Sequence, residues 1–135
     1  MKWLIPMLAA AALLLAGLAI WVRIAPTDPA AWHGIPEEVP RRHSANSDLR
    51  EIDGSLAALD AIIRATPRTE RLAGSVEDGM VTYVTRTALF GFPDYTTVRQ
   101  DGARLTIFAR SRFGKSDLGV NAARVEGWLA LLGQG

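Results

Sequence analysis

Apolar and polar positions divide the chain into three regions with different periodicities. From Leu4 to Val22 it reads LIPMLAAAALLLAGLAIWV, nineteen residues without a charge. As a helix rising about 1.5 Å per residue this is about 28 Å, close to the ~30 Å hydrocarbon core of a bilayer. Residues 24–50 carry prolines at 26, 29, 36 and 40 and little periodicity, the mark of an extended linker. From residue 51 onward periodicity returns. GSLAALDAIIRA (54–65) predicts a helix capped by Asp53 or Ser55, with Leu56, Leu59 and Ile63 on one face and Thr66-Pro67 ending it. Strand patterns follow at 71–76, 80–90 and 94–100, with a fourth ending near Arg110. Asp101-Gly102 predicts a two-residue hairpin turn between the last two. That turn pairs residues whose numbers sum to 203, putting Val98, Leu105, Ile107 and Ala109 on the core face. Thr97, Arg99, Arg104, Thr106, Tyr95 and Phe108 fall on the other. Residues 122–132, AARVEGWLALL, predict a final helix with Val125, Trp128, Leu129 and Leu132 as its apolar stripe. The expected fold is α+β: a four-stranded antiparallel sheet with a helix before it and a helix after it, both on one face, plus an N-terminal transmembrane helix. The expected division is an anchor at 1–24, a Pro-rich linker at 25–50 and a domain at 51–135.

Flanking residues refine the reading of the apolar segment. Trp3 and Trp21 mark its ends, as amphipathic rings do at headgroup depth, and Pro6 lies in the first turn, where a missing amide is tolerated. A cleaved signal peptide is the competing reading, with Ala16, Gly17 and Ala19 as a cleavage region, and a buried soluble helix is a third. The length of the run and its continuation through Ile20-Trp21-Val22-Arg23 favour a single-pass signal-anchor. Lys2 and the free amino terminus, against Arg23, orient the N-terminus inside and the C-terminal domain in the periplasmic or extracytoplasmic space, within the cell envelope.

Charge narrows the partners. The chain has fifteen basic and fourteen acidic residues, and setting aside Lys2 and Arg23 leaves thirteen basic residues against fourteen. That balance argues against nucleic acid and leaves the lipid bilayer, an anionic small molecule or an envelope protein as expected partners. With no cysteine and only His33 and His43, no metal set and no cofactor is expected. In the linker, Trp32 is read as an anchor against the domain, with Trp32-His33 contacting a ligand as the alternative. Arg41-Arg42 next to Glu37-Glu38 is a largely cancelled charge pair.

Chemistry concentrates between the fourth strand and the final helix, in Arg110-Ser-Arg-Phe-Gly-Lys-Ser-Asp-Leu-Gly-Val-Asn121 and Arg124. Alternation sets Arg110 and Arg112 on one side and Ser111 and Phe113 on the other. Asn121 is the expected helix cap, with Val120 and Val125 as a hydrophobic staple. Arg124 would then lie in the first turn against the helix macrodipole unless a carboxylate such as Asp117 balances it. One reading is a structural staple in which Asp117 accepts from Arg112 or Arg124. The other is an anion pocket built from Arg110, Arg112, Lys115, Ser116, Asp117, Asn121 and Arg124. A second patch of Asp94, Tyr95, Arg99, Arg104 and Phe108 is read as a groove or as a surface covered by the linker. Gly114-Lys115-Ser116 lacks the first glycine of a phosphate loop, because residue 109 is alanine. No catalytic residue is assigned: Ser116-Asp117 has no histidine base beside it, and Lys115 would need desolvation.

The sequence FPD at 92–94, Val98-Arg99, and RSRFGKSDLGVNAARVEGWL at 110–129 together resemble the DUF1499 family, a bacterial and plant-organelle family of unknown function. The likeness covers roughly residues 50–133. Ser111, Arg112, Gly114, Ser116, Asp117, Gly119, Asn121, Arg124 and Val125 match its pattern, whereas Ala122 stands where arginine is commoner. The resemblance implies a domain boundary and membrane-associated or exported members, and no catalysis. The expected function is therefore a membrane-anchored extracytoplasmic domain for interaction or anionic-ligand binding. An enzyme acting on an anionic envelope or lipid substrate, and a purely structural envelope protein, are the alternatives.

Overall fold

The computed structural model describes residues 1–38 and 45–133. The elements in order are α1 (Leu4–Ile24), α2 (Pro29–Trp32), β1 (Ser47–Asp53), α3 (Leu56–Arg64), β2 (Thr69–Ser75), β3 (Met80–Arg86), β4 (Pro93–Asp101), β5 (Arg104–Ser111) and α4 (Val120–Gly133). The sheet has five strands, not four, in the order β1-β5-β4-β3-β2, and every pairing is antiparallel.

The additional strand, β1, begins inside the stretch read as linker. Its sequence, SDLREID, carries four charges and no alternating apolar face, so it does not read as a strand. It forms because β5 offers an unpaired edge, with Leu49 opposite Phe108 and Ile52 opposite Leu105. Its charges suit an edge position, where they discourage pairing with another chain. Asp48 lies 2.9 Å from the Arg50 Nε, and Arg50 also pairs with Glu126 of α4.

The β4–β5 turn differs by one position from expectation. Asp101 pairs with Arg104, so Gly102-Ala103 is the loop. Gly102 takes φ +58 while Ala103 keeps an ordinary φ, the pattern of a type II′ hairpin with glycine first. Pair numbers therefore sum to 205: Val98 faces Ile107, and Tyr95 faces Arg110. A shift of two in the sum preserves parity, so the face assignments hold although the partners change.

On the front face, Leu56, Leu59 and Ile63 of α3 and Val125 and Trp128 of α4 pack on Val81, Tyr83, Val98, Leu105, Ile107 and Ala109. Ser55 caps α3 as expected. Gln100 fixes the same helix start, accepting from Leu56 N (2.6 Å) and donating to Gly54 O (2.9 Å). The back face is covered by a strap, residues 26–36, which includes α2. Trp32 stacks on Tyr95 with ring centroids 4.3 Å apart. Beneath the strap, Thr97 donates to Trp32 O and accepts from Arg110, which leaves Thr82 as donor to Thr97 and a protonated His33 Nδ1 as donor to Thr82. Gly74 permits this approach, since a Cβ there would stand 2.7 Å from the His33 ring.

The apolar helix α1 is largely exposed along its length, with a mean hydropathy of 2.3. Only its C-terminal end meets the domain, where Val22 is 2% exposed. There Trp21 contacts Phe113 edge-on at 5.5 Å and Arg23 donates to Leu89 O.

Candidate functional site

The β5–α4 corner is organised by Asp117. Its carboxylate accepts from Gly119 N (2.8 Å), from Asn121 N (3.3 Å) and from the Asn121 amide (2.8 Å). These bonds hold two consecutive left-handed residues, Leu118 (φ +54) and Gly119 (φ +79), ahead of a helix that starts at Val120. Asn121 is thus inside the helix and does not cap it. Its fully buried side chain donates to Ser111 Oγ (2.9 Å) and Asp117, and accepts from Arg124. Arg124 falls one turn beyond the helix start and pairs with Asp94 (3.1 Å), itself 3% exposed. Ser111 donates to the other Asp94 oxygen at 2.8 Å. Asp94, not Asp117, therefore balances Arg124; it comes from β4, which pairs with β5 so that Asp94 faces Ser111.

This network floors an open pocket of about 270 Å³ whose apolar walls are Phe92, Phe113, Leu118 and Val120. Ser116 and Asp117 line it with Asp94 and Ser111. On that floor the Ser111 hydroxyl donates to Asp94 and accepts from the Asn121 amide, so it is held within the network.

The predicted anion residues are divided between the two faces. Arg110 lies on the back face, 8% exposed, sandwiched between Phe108 (4.7 Å to the ring centroid) and Trp32 (5.6 Å). Its donors go to the carbonyls of Trp32, Gly34 and Phe108 and to Thr97. Burial pushes its guanidinium down to about 10, partly offset by Tyr95, so it is charged at neutral pH. Arg112 also faces back, binding Thr27 Oγ1 (3.2 Å), Pro26 O (3.0 Å) and, at 3.5 Å, the Tyr95 hydroxyl. Lys115 is exposed. The structure thus brings Ser111, Ser116, Asp117, Asn121, Arg124 and Asp94 together and sends Arg110 and Arg112 to the strap. The second patch is divided as well. Tyr95 and Phe108 lie under the strap and Arg110, Arg99 pairs with Asp101 (2.8 Å), Arg104 reaches Glu51 (3.8 Å), and Asp94 is on the front.

Sequence reasoning missed a second polar centre. Asp60 of α3, 3% exposed, accepts from the Tyr83 hydroxyl (2.7 Å), from Arg64 (2.9 Å) and from two Arg71 nitrogens (3.1 and 2.6 Å). Burial alone would push its carboxyl up, but the hydrogen bonds from Arg71, Tyr83 and Arg64 outweigh it and hold the group below the usual range. Burial, then the bond to Asp60, pushes the Tyr83 phenol well up. An aspartate one residue past Leu59 in an amphipathic helix was the available signal. Among the described residues no cluster of three or more His, Asp or Glu side chains is arranged to hold a metal.

Residues 28–132 match the profile of the family described as "Protein of unknown function (DUF1499)". No curated protein and no solved structure matches the chain.

Proposed function

This chain belongs to the DUF1499 family, whose description names no reaction, and from that premise we propose that it is a membrane-anchored, extracytoplasmic binding domain working at the bilayer surface. Its ligand site is the corner pocket, which takes the apolar part of an amphiphile. The observation that carries this is the junction between α1 and the domain: Val22 is buried and Trp21 rests on Phe113, a wall of that pocket. The pocket mouth therefore lies where the apolar helix ends, at the depth where a spanning segment meets the headgroups. Leu118 adds weight. It is 92% exposed in a left-handed conformation, which costs about 1 to 3 kcal/mol for a non-glycine residue, and a lipid-facing or ligand-facing role accounts for keeping an apolar side chain there. Leu89 and Phe90 are 75% and 50% exposed, and the Phe90 ring lies 5.6 Å from Phe92 of the pocket wall. Lys2 and the amino terminus on the other flank, against Arg23, support the outside orientation.

Because the chain has no cysteine, single labels are unambiguous. The full chain is reconstituted in nanodiscs containing brominated lipid, with an environment-sensitive fluorophore on Leu118→Cys, Leu89→Cys or Ala103→Cys. The expected result is quenching at 118 and 89 but not at 103, which lies in the turn at the far end of β4 and β5. Equal quenching at all three sites would overturn the reading, as would a C-terminal reporter active only in the cytoplasm for the orientation.

A further inference from the structure

Eleven arginines lie among the described residues, and their partners sort them into three groups. Arg50, Arg64, Arg71, Arg99, Arg104 and Arg124 are each ion-paired with a carboxylate. Arg110 and Arg112 hold the strap. The remaining three, Arg23, Arg68 and Arg86, have no carboxylate partner among the described residues, and all three line one open pocket of about 380 Å³ on the back of β2 and β3. We infer that this pocket binds a phosphate-bearing anion at the membrane surface, foremost the headgroup of an anionic lipid. The inference rests on reading α1 as a membrane span and concerns a site separate from the corner pocket.

The backbone of the β3–β4 loop presents these guanidinium groups without neutralising them. Arg23 donates to Leu89 O (3.1 Å), Arg86 to Gly91 O (3.0 Å), and Arg68 through Nε to Arg86 O (3.0 Å). Each thus spends one of five donors on a neutral carbonyl and keeps a fork suited to two phosphate oxygens. Gly91 is the seat of this arrangement: at φ +71, a Cβ there would stand 2.8 Å from Arg23 Nε. Arg68 is itself held at φ +57, an uncommon conformation for a non-glycine residue. Glu70 also lines the pocket, so the site carries a net charge of +2 from three arginines and one glutamate. Its depth is set by Arg23, in the last turn of α1, where basic residues meet lipid phosphates.

The test uses the full chain in phosphatidylcholine nanodiscs with and without phosphatidylglycerol, read by native mass spectrometry of retained lipid and by alkaline carbonate extraction of membranes. Wild type is expected to retain phosphatidylglycerol about tenfold more than an Arg68→Gln/Arg86→Gln variant, with phosphatidylcholine retention unchanged. Gly91→Ala, which alters no charge, should lower retention by displacing Arg23, and Arg99→Gln should not. Displacement of the lipid by inorganic phosphate identifies phosphate itself as the recognised group; resistance to it identifies the bilayer-embedded headgroup. Equal phosphatidylglycerol retention by wild type and the double variant, in a chain that resists carbonate, overturns the pocket and leaves the anchor standing. Extraction of the chain by carbonate overturns the anchor and the lipid source together.

Discussion

Asp60 shows what one residue contributes when its partners come from three elements. Tyr83, Arg64 and Arg71 all donate to it, so Asp60→Asn leaves the buried Tyr83 hydroxyl and two partly exposed arginines facing an amide and is expected to cost about 1 to 3 kcal/mol. The cost has a pH signature. Because the folded carboxyl titrates below its ordinary value, its contribution is complete above the unfolded-state pKa near 4 and is lost as pH falls through the lower folded value. Urea unfolding at neutral pH and near pH 3 should therefore show a gap between wild type and Asp60→Asn that narrows in acid; a gap that widens there would refute the assignment. Asp117 is a comparable case, with three donors on one carboxylate. Asp117→Ala should lower stability by about 1 to 3 kcal/mol in thermal unfolding. That outcome separates its structural work from any ligand effect at Ser116 or Leu118.

Among elements, the strap depends most on a single side chain. Arg110 donates to two strap carbonyls, Trp32 O and Gly34 O. Arg110→Met keeps an apolar stem between Phe108 and Trp32 but removes those donors. The expected loss is about 2 to 4 kcal/mol, with limited proteolysis appearing within residues 26–38 before the sheet is cleaved. Cleavage rates equal to wild type would show that Trp32 stacking and the bonds of Arg112, Thr97 and His33 hold the strap without Arg110. The strap and β1 also explain how much of the fold was legible. Helices α3 and α4 and the β4–β5 hairpin announce themselves through local period and turn chemistry. Strand β1 does not, because its pairing energy comes from β5, more than fifty residues away, and its charged side chains carry no face pattern. The expected turn at Asp101-Gly102 missed by one residue because Asp-Gly equally suits a glycine at the first loop position.

For the molecule as a whole, α1 and the domain share a small contact, centred on Val22, Trp21 and Arg23. A chain beginning at residue 25 keeps the strap, the sheet and both covering helices. It is expected to fold with a melting temperature within a few degrees of the full chain while self-associating more, because Phe113 loses the cover of Trp21 beside the exposed Leu89 and Phe90. Circular dichroism and size-exclusion chromatography check both parts, and a truncated domain without cooperative melting would show that α1 is integral to the core.

By itself the sequence determined the apolar segment long enough to span a bilayer, the α+β class, the core faces of the strands and helices, and the concentration of polar side chains in residues 110–124. Each depends on periodicity or turn chemistry that neighbouring residues carry within themselves. Tertiary structure alone decided the partners of the charges. Alternation placed Arg110 and Arg112 on one side, but only the strap's return across that face consumed them; Arg124 needed Asp94 from another strand; and Arg23, Arg68 and Arg86, dispersed over more than sixty residues, became neighbours through the docking of α1 against the β3–β4 loop. Charge pairing acts through space over a few ångströms, so residues distant in sequence acquire their chemistry only when the chain has folded.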